Sequence, residues 1–452
     1  MGSFALLVAL SLCQIAWIML GVLWVARRHD EIPLLISAVL FYVFTFRLWA
    51  LLMGWASPVN LSNFGFAALD SKGALEAESI AILGQTVLLS IYMLAQRHRI
   101  DVPDRLASPE LLDWLESRVV ALGVICIPVS LLARRAVGVQ IAAGRSMGFE
   151  VSSYLILFSL SLVGVAILIA ALWKSGAFHS AVERFGAALL FAAIIYLTFQ
   201  PSMRFQFLGW CVAVTIILAS GQSFLRRAQV LVIGLVGAVA LFAVAGALRN
   251  AEEPTVELEQ SAWERFAFAQ DANMLDGFAL LQQVYPEMLD YSYGREHLEI
   301  LERPIPRAWW PGKPVGGYMN KLGIVTADSG FTLGISPSLF GSFYQEGGLV
   351  GVVLLSIIYG FGFGRLVSFT TRIVPLGGLL LRGILAAAIV PLLRGGDLPG
   401  IYAWFGMSFW PCLLLLWLGR REFFARIPYP QQFTDGMPVP MERGRTGEHS
   451  LV

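Results

Sequence analysis

Long apolar segments separated by short polar ones fill most of the chain. A helix that crosses the hydrocarbon core of a bilayer, roughly 30 Å thick, needs about 20 mostly apolar residues because each residue rises about 1.5 Å. Eleven segments qualify, near residues 4–26, 33–55, 79–95, 117–133, 151–173, 186–199, 203–220, 228–248, 349–369, 376–393 and 400–418. Since helices satisfy their own backbone hydrogen bonds in lipid, the pattern predicts an all-α, polytopic membrane protein.

These segments divide the chain into four regions. Residues 1–248 are predicted to hold eight transmembrane helices and 349–419 three more, with one large extramembrane loop at 249–348 and a disordered tail at 420–452. Within the loop, apolar residues recur at roughly helical spacing among charges over 258–284. This pattern predicts one or two amphipathic helices along the outer face of the bundle.

The basic residues set the expected orientation. Arg27 and Arg28 follow the first segment directly, and the loops on the same side, with the C-terminal tail, carry 15 further lysines and arginines against six in the short outer loops. Because Lys and Arg favour the cytosolic side, the N-terminus is predicted to face outward and the C-terminus to lie in the cytosol. The long loop is then on the outer side.

Composition excludes several classes of function. The chain is 57% hydrophobic and 14% charged, which excludes a soluble globular protein, and a net charge of +1 gives no surface for nucleic acid. The sequence has no HExxH or DxD spacing and no P-loop, so it indicates neither a metal centre nor a nucleotide site.

Arginines in the short outer loops are the first candidates for binding. They are Arg134 and Arg135 after the fourth segment, Arg204 before the seventh, and Arg394 close to Asp397. A guanidinium matches phosphate oxygens bidentately, so a lipid-linked pyrophosphate is a suitable partner. For any single arginine, pairing with a lipid headgroup or a loop carboxylate is an equal alternative.

Arg47 lies inside the second segment, where an unpaired guanidinium is costly. It is either a site residue or a structurally paired or snorkelling arginine.

The densest group of candidate residues lies between 303 and 314. Four prolines stiffen this stretch. It presents three cations and two indoles, namely Arg303, Arg307, Lys313, Trp309 and Trp310. Cations can bind phosphates and indoles can pack on sugar rings, although an interfacial aromatic belt explains the same composition.

Ser336 and Pro337 have the pattern of a helix start, with Ser as the N-cap and Pro at the first helical position. The positive end of that helix dipole would favour an anion. Gly347 and Gly348 predict a kink further along.

Acid–base chemistry has several candidates on the outer side. The carboxylates include Glu264, Asp271, Asp276, Glu299 and Asp328, and His297 is the outward histidine. Most of them are expected to be solvated loop charges.

Taken in order, these motifs resemble a known family. The matching residues are Ile305-Pro306 through Trp310-Pro311-Gly312-Lys313-Pro314, then Gly334-Ile335-Ser336-Pro337-Ser338-Leu339, Gly341, Gly347-Gly348, Arg204, Arg394 and Asp397. Over roughly residues 200–400 the chain resembles the bacterial oligosaccharide repeat-unit polymerases of the Wzy type, most closely those related to enterobacterial common antigen polymerase.

The resemblance implies a glycosyltransferase of the inner membrane with a GT-C-like helical architecture and no metal or other cofactor. Its substrate would be an undecaprenyl-pyrophosphate-linked oligosaccharide, and a flippase and a chain-length regulator would be partners. Arg204 and Arg394 would bind pyrophosphate, Arg303, Arg307 and Lys313 would position phosphate or sugar, Trp309 and Trp310 would pack on sugar, and Asp271 would be the general base.

Other functions remain open from the sequence. An O-antigen ligase-like transferase would use related arginine chemistry and an outer-loop histidine, for which His297 is available. A transporter of polysaccharide or lipid-linked oligosaccharide would need polar residues at membrane depth, whereas polarity other than Arg47 is expected at the outer end. A scaffolding role for other envelope enzymes is a further alternative.

Overall fold

The computed structural model describes residues 2–59, 65–67, 69–103, 105–142, 160–199, 204–252, 273–303, 305, 309–310, 312–313, 317–323 and 335–425. The described part of the chain is helical and contains no strand. The helices are α1 Gly2–Arg28, α2 Ile32–Leu40, α3 Arg47–Leu52, α4 Ser71–Ala95, α5 Pro109–Ala142, α6 Leu162–Ser175, α7 Ala181–Thr198, α8 Arg204–Ala219, α9 Phe224–Glu252, α10 Met274–Val284, α11 Arg295–Glu302, α12 Tyr318–Lys321, α13 Ser338–Thr370, α14 Pro375–Arg394, α15 Leu398–Leu418 and α16 Arg420–Phe423.

Eight helices of the described residues are long and apolar enough to cross a membrane. They confirm the prediction of an all-α, multi-pass membrane protein. α6 and α8 are apolar but shorter. Every one of the predicted segments overlaps a helix, while the expected number of eleven spans stays a prediction.

A π-helix at Phe41–Phe46 joins α2 to α3, so the second span is one continuous helical rod. Short π-helical stretches are uncommon and often accompany functional positions. Here the π-helix presents Thr45 and, directly after it, Arg47 to the interior, and both side chains are buried.

Two predicted boundaries are wrong. Helix α5 continues to Ala142, so Arg135 lies within a helix, exposed on its surface, and not in a short loop. Polar residues near the end of a helix lower the local hydropathy without ending the helix, so the apolar segment 117–133 is shorter than the helix that contains it. The tail also begins with ordered structure, because α16 spans Arg420–Phe423; residues 426–452 lie outside the described part.

The start of α13 also differs from the prediction. Pro337, not Ser336, is the N-cap residue. Ser338 has a φ of +67°, so the chain makes a further turn before the helix begins, and the Ser338 hydroxyl accepts the Gly341 N–H at 3.3 Å. The predicted kink is confirmed, since Gly347 and Gly348 have non-helical backbone angles inside α13.

The helix predicted within 258–284 is confirmed over Met274–Val284, but its position is not the predicted one. Nine of the eleven residues of α10 are buried, including Asp276. The helix packs against α4 and the first part of α13 and does not lie along an outer face. Its one charged residue is accommodated in the interior by an arginine from α3.

Helices α4 and α13 pack closely against each other. Gly360 and Gly364, four residues apart, lie against the backbone of Leu88 and Tyr92 on α4. A side chain at either glycine would collide with a carbonyl oxygen. Small residues at this spacing let two membrane helices approach closely, where dispersion and not the hydrophobic effect holds them together.

Candidate active site

Most of the candidate chemistry is organised by the short helix α11. This helix has eight residues, Arg-Glu-His-Leu-Glu-Ile-Leu-Glu, and is too short and too charged to be predicted as a transmembrane segment. Gly294, with a φ of +90°, precedes the helix, which packs on α15. Within a little more than two turns, α11 and the residue after it direct Glu296, His297 and Arg303 to three different partners.

His297 is the centre of a continuous hydrogen-bond relay. Its Nδ1 lies 2.7 Å from Glu346 Oε1, and its Nε2 lies 3.0 Å from the Tyr359 hydroxyl. The Tyr402 hydroxyl donates to the Tyr359 oxygen at 2.9 Å. Glu346 is buried just before the kink of α13, and its Oε2 also accepts the Gly294 N–H at 2.5 Å.

This arrangement defines the proton positions on the imidazole. The Glu346 carboxylate accepts only, so Nδ1 carries hydrogen and Nε2 of a neutral ring is the acceptor. A carboxylate placed in this way orients a histidine and stabilises the imidazolium that forms when Nε2 takes a proton. The His297 relay, meaning Glu346, His297, Tyr359 and Tyr402, can therefore accept a proton.

An apolar groove of about 270 Å³ includes Tyr402 of this relay in its wall. Helices α13, α14 and α15 line it with side chains such as Phe363, Leu381, Leu392 and Trp404. Tyr402 forms part of the wall, so its ring faces apolar neighbours and its hydroxyl joins the relay. The groove can hold a hydrocarbon chain with a reactive group near Tyr402.

Arg303 and Asp397 form the second part of the site. Arg303 Nη2 lies 2.8 Å from Asp397 Oδ2, with the two side chains 26% and 34% exposed. Asp397 also caps α15 by accepting the Gly400 N–H at 3.1 Å. Lys313 is buried and donates to the carbonyl oxygens of Arg303 and Ile305 at 2.6 and 2.7 Å. The pair is accessible to solvent, whereas Lys313 braces the backbone that carries Arg303.

The turn after α14 is fixed against the start of α13. Gly395 has a φ of +67° and forms an isolated bridge with Ser338, and the Gly396 N–H donates to the Ser342 hydroxyl at 3.2 Å. Ser336 is buried beside Gly396. Arg394 ends α14, where the helix dipole favours a cation. Arg394, Asp397, Arg303 and Ser336, which were predicted as site residues, therefore lie at one end of the bundle.

A third contact of α11 involves Glu296. Its buried carboxylate accepts from Lys321 Nζ and from Gln345 Nε2. Burial raises the pKa of Glu296, while the Lys321 ammonium opposes that shift. Burial likewise raises the pKa of Glu299, one turn further along α11. Asp397 adds to the upward shift at both carboxyls, and groups with perturbed pKa values tend to cluster at functional sites.

The two indoles differ in exposure. Trp309 is 81% exposed and Trp310 is 36% exposed. An exposed tryptophan does little for stability, so Trp309 is available to pack on a ligand.

Arg47 is paired inside the bundle. Its Nε and Nη2 lie 2.9 and 3.2 Å from the two oxygens of Asp276, and Nη2 also donates to the Ser57 carbonyl at 2.9 Å. The side chains are 2% and 0% exposed. Of the two interpretations of Arg47, the structurally paired arginine agrees with this geometry.

The remaining predicted residues are Arg204, Arg307, Asp271 and Arg135. The side chain of Arg204 lies outside the described residues, although its backbone begins α8, and Arg307 and Asp271 are outside altogether. Arg135 is exposed on α5.

The sequence interpretation missed several polar groups. Glu78 and Gln85 of α4 and Arg382 of α14 are buried at membrane depth, so the expectation that polarity other than Arg47 lies at the outer end is wrong. Arg382 interrupts the apolar segment 376–393 and could have been found by the reasoning applied to Arg47. Comparison with known proteins adds no assignment, because no family model, curated protein or solved structure matches the chain.

Proposed function

We propose that this chain is a metal-independent glycosyltransferase of the bacterial inner membrane. It joins undecaprenyl-pyrophosphate-linked oligosaccharide repeat units into a surface polysaccharide at the periplasmic face, with a GT-C-like arrangement of its helices. One observation carries the proposal: α11 and the residue after it hold both His297, whose relay includes Tyr402 in the wall of an apolar groove, and Arg303, which contacts Asp397.

Substrate binding follows from this combination. An apolar groove beside cations suits a molecule with a hydrocarbon chain and an anionic headgroup. Arg303 and Arg394 are assigned to the pyrophosphate, with Arg204 and Arg307 as further candidates, since guanidinium groups bind phosphate oxygens bidentately. Trp309 is assigned to sugar packing.

The reaction needs one bond to form and one to break. A hydroxyl oxygen of the incoming repeat unit attacks the anomeric carbon of the growing chain, and the bond from that carbon to the pyrophosphate oxygen breaks. Negative charge develops on the departing pyrophosphate, where fixed arginines stabilise the transition state. The hydroxyl proton passes to Tyr402 as the relay shifts its own protons through Tyr359 to His297, and Glu346 stabilises the resulting imidazolium. Asp271 remains a second candidate for the base.

A second candidate function is an O-antigen ligase-like transfer of a finished glycan to another acceptor. The histidine held by Glu346 supports it equally, because both reactions need a base beside a polyprenyl-pyrophosphate donor. A transporter of lipid-linked oligosaccharide is a further candidate of another class. The buried polar groups of α4 and α14 favour it, because transporters bind substrates through polar residues inside the membrane.

A gene deletion in the native host distinguishes these functions. The sizes of the surface polysaccharide and of the lipid-linked glycans are then measured in the deletion strain. A polymerase predicts single repeat units in place of a ladder. Long lipid-linked chains that are never attached would show a ligase, and an unchanged profile would contradict any glycan role. A flippase and a chain-length regulator of the same pathway are the expected partners.

A further inference from the structure

One face of α4 carries polar side chains at intervals of seven residues. Glu78, Gln85 and Tyr92 lie two helical turns apart from one another, and all three are fully buried. At about 1.5 Å per residue, they extend over roughly 21 Å, most of the hydrocarbon thickness. We call this row the α4 column.

Each member of the α4 column meets a polar group from another element. The Thr45 hydroxyl donates to Glu78 Oε1 at 2.6 Å, from the π-helix. Gln14 Nε2 of α1 donates to Gln85 Oε1 at 2.7 Å. The Tyr92 hydroxyl donates to Asp30 Oδ2 at 2.7 Å. Three separate parts of the chain thus direct polar atoms toward one line through the bundle.

The α4 column still has unused hydrogen-bonding capacity. Glu78 Oε2, Gln85 Nε2 and Gln14 Oε1 are buried and have no hydrogen-bond partner among the described residues. Leaving such an atom unsatisfied is unfavourable, and buried polar sites of this kind bind water. Water at these three atoms would connect groups that are too far apart for direct contact.

The charged groups around Glu78 are accounted for. Arg47 of α3 and Asp276 of α10 are paired with each other. Glu346 of α13 is held by His297, and Glu76 lies on the exposed side of α4 itself. The other packed elements contribute no charge within the span: the apolar part of α1 has none, and the π-helix offers Thr45 and Tyr42. Among the described residues, Glu78 therefore has no cation to pair with.

The two ends of the α4 column differ. At one end, Asp30 and Glu31 are buried beside Arg227 and Arg382, and His29 reaches the surface. At the other end, Arg47 and Asp276 form a buried ion pair.

We propose that Glu78 is a proton-exchange site. It holds a proton at neutral pH, because an unpaired carboxylate at this depth is strongly disfavoured, and it exchanges that proton with the Asp30 end along the α4 column. The ligand is a proton, and the site is independent of the proposed glycosyl transfer, which uses none of these residues.

Infrared spectroscopy of the full-length protein in liposomes tests this directly. A protonated buried carboxyl gives a C=O band that shifts on transfer from H₂O to D₂O. We expect one such band at neutral pH that Glu78→Gln removes and Glu76→Gln, the same change on the exposed side of the same helix, leaves in place. If neutral-pH spectra of the folded protein show no band that depends on Glu78, the site is overturned.

The path is tested by Gln14→Leu/Gln85→Leu, which replaces both amides with apolar side chains of similar size. We expect the Glu78 band to persist and its rate of deuterium exchange to fall at least tenfold. An unchanged exchange rate would overturn the path. If the double variant does not fold, Tyr92→Phe breaks the contact with Asp30 while keeping the ring, and the same slowing is expected.

Discussion

The buried pair of Arg47 and Asp276 allows a prediction with a defined magnitude. Asp276 uses both oxygens on Arg47 and also accepts the Val59 N–H at 2.9 Å. Asp276→Asn keeps the shape but leaves a guanidinium buried without a counter-charge. Removing one partner of a buried pair costs about 3–5 kcal/mol, which lowers the ratio of folded to unfolded protein roughly 150- to 4000-fold.

The assay is reversible unfolding of the purified protein in mixed micelles, followed by tryptophan fluorescence. Arg303→Gln is the control, because the Arg303–Asp397 pair is partly exposed and its loss should cost no more than about 1 kcal/mol. Arg47→Met/Asp276→Leu should cost less than Asp276→Asn alone, since it leaves no unpaired charge. The reasoning is refuted if Asp276→Asn costs under about 1 kcal/mol, or if the double variant is the least stable.

Three further predictions concern the site. Burial raises the pKa of Glu296, so the contribution of this carboxyl to stability is fully present below its ordinary pKa of 4.5 and is lost as pH rises through the folded-state pKa. Thermal unfolding measured from pH 4 upward should show this loss, and Glu296→Gln should remove it. Parallel stability curves for the two proteins would contradict the prediction. Gly395→Ala should cost at least about 1 kcal/mol of stability, because Gly395 has a φ of +67° and a side chain there meets the Ser338 backbone. Gly362→Ala, on an exposed helix face with open space, is the control and should stabilise by about 0.5–1 kcal/mol in the same unfolding assay. Equal effects of the two substitutions would contradict the geometry of the turn at Gly395. Trp309→Ala should leave the free energy of unfolding unchanged within about 0.5 kcal/mol, since the side chain is 81% exposed. The same substitution should shorten the polysaccharide on a sizing gel. A full-length product would exclude Trp309 from the site.

The transmembrane helices were predictable because lipid imposes one simple requirement. An apolar stretch at 376–393 corresponds to α14 at Pro375–Arg394, with Pro391 inside the helix. Boundaries failed where polar residues continue a helix, as at Arg135 in α5. The prediction that α10 lies along an outer face was wrong for another reason. An amphipathic pattern shows which face of a helix is apolar, but it does not show that Asp276 will pair with Arg47, 229 residues away.

The candidate site was predictable only in part. Hydropathy and residue type identified Arg303, Arg394 and Asp397, which the fold gathers at one end of the bundle. The His297 relay was not predictable, since α11 is a charged eight-residue helix and Glu346 and Tyr402 come from two other helices. No local pattern in one sequence encodes such a contact.

The central claim is that this end of the bundle transfers glycans from a polyprenyl-pyrophosphate donor. The most direct measurement uses purified protein in liposomes with the lipid-linked repeat unit and a metal chelator, and quantifies glycan length and free polyprenyl pyrophosphate together. The account predicts longer glycans, one pyrophosphate released per bond formed, and loss of both products in His297→Gln. Folded wild-type protein that yields neither product would contradict the claim, and undiminished products from His297→Gln would exclude the His297 relay from the reaction.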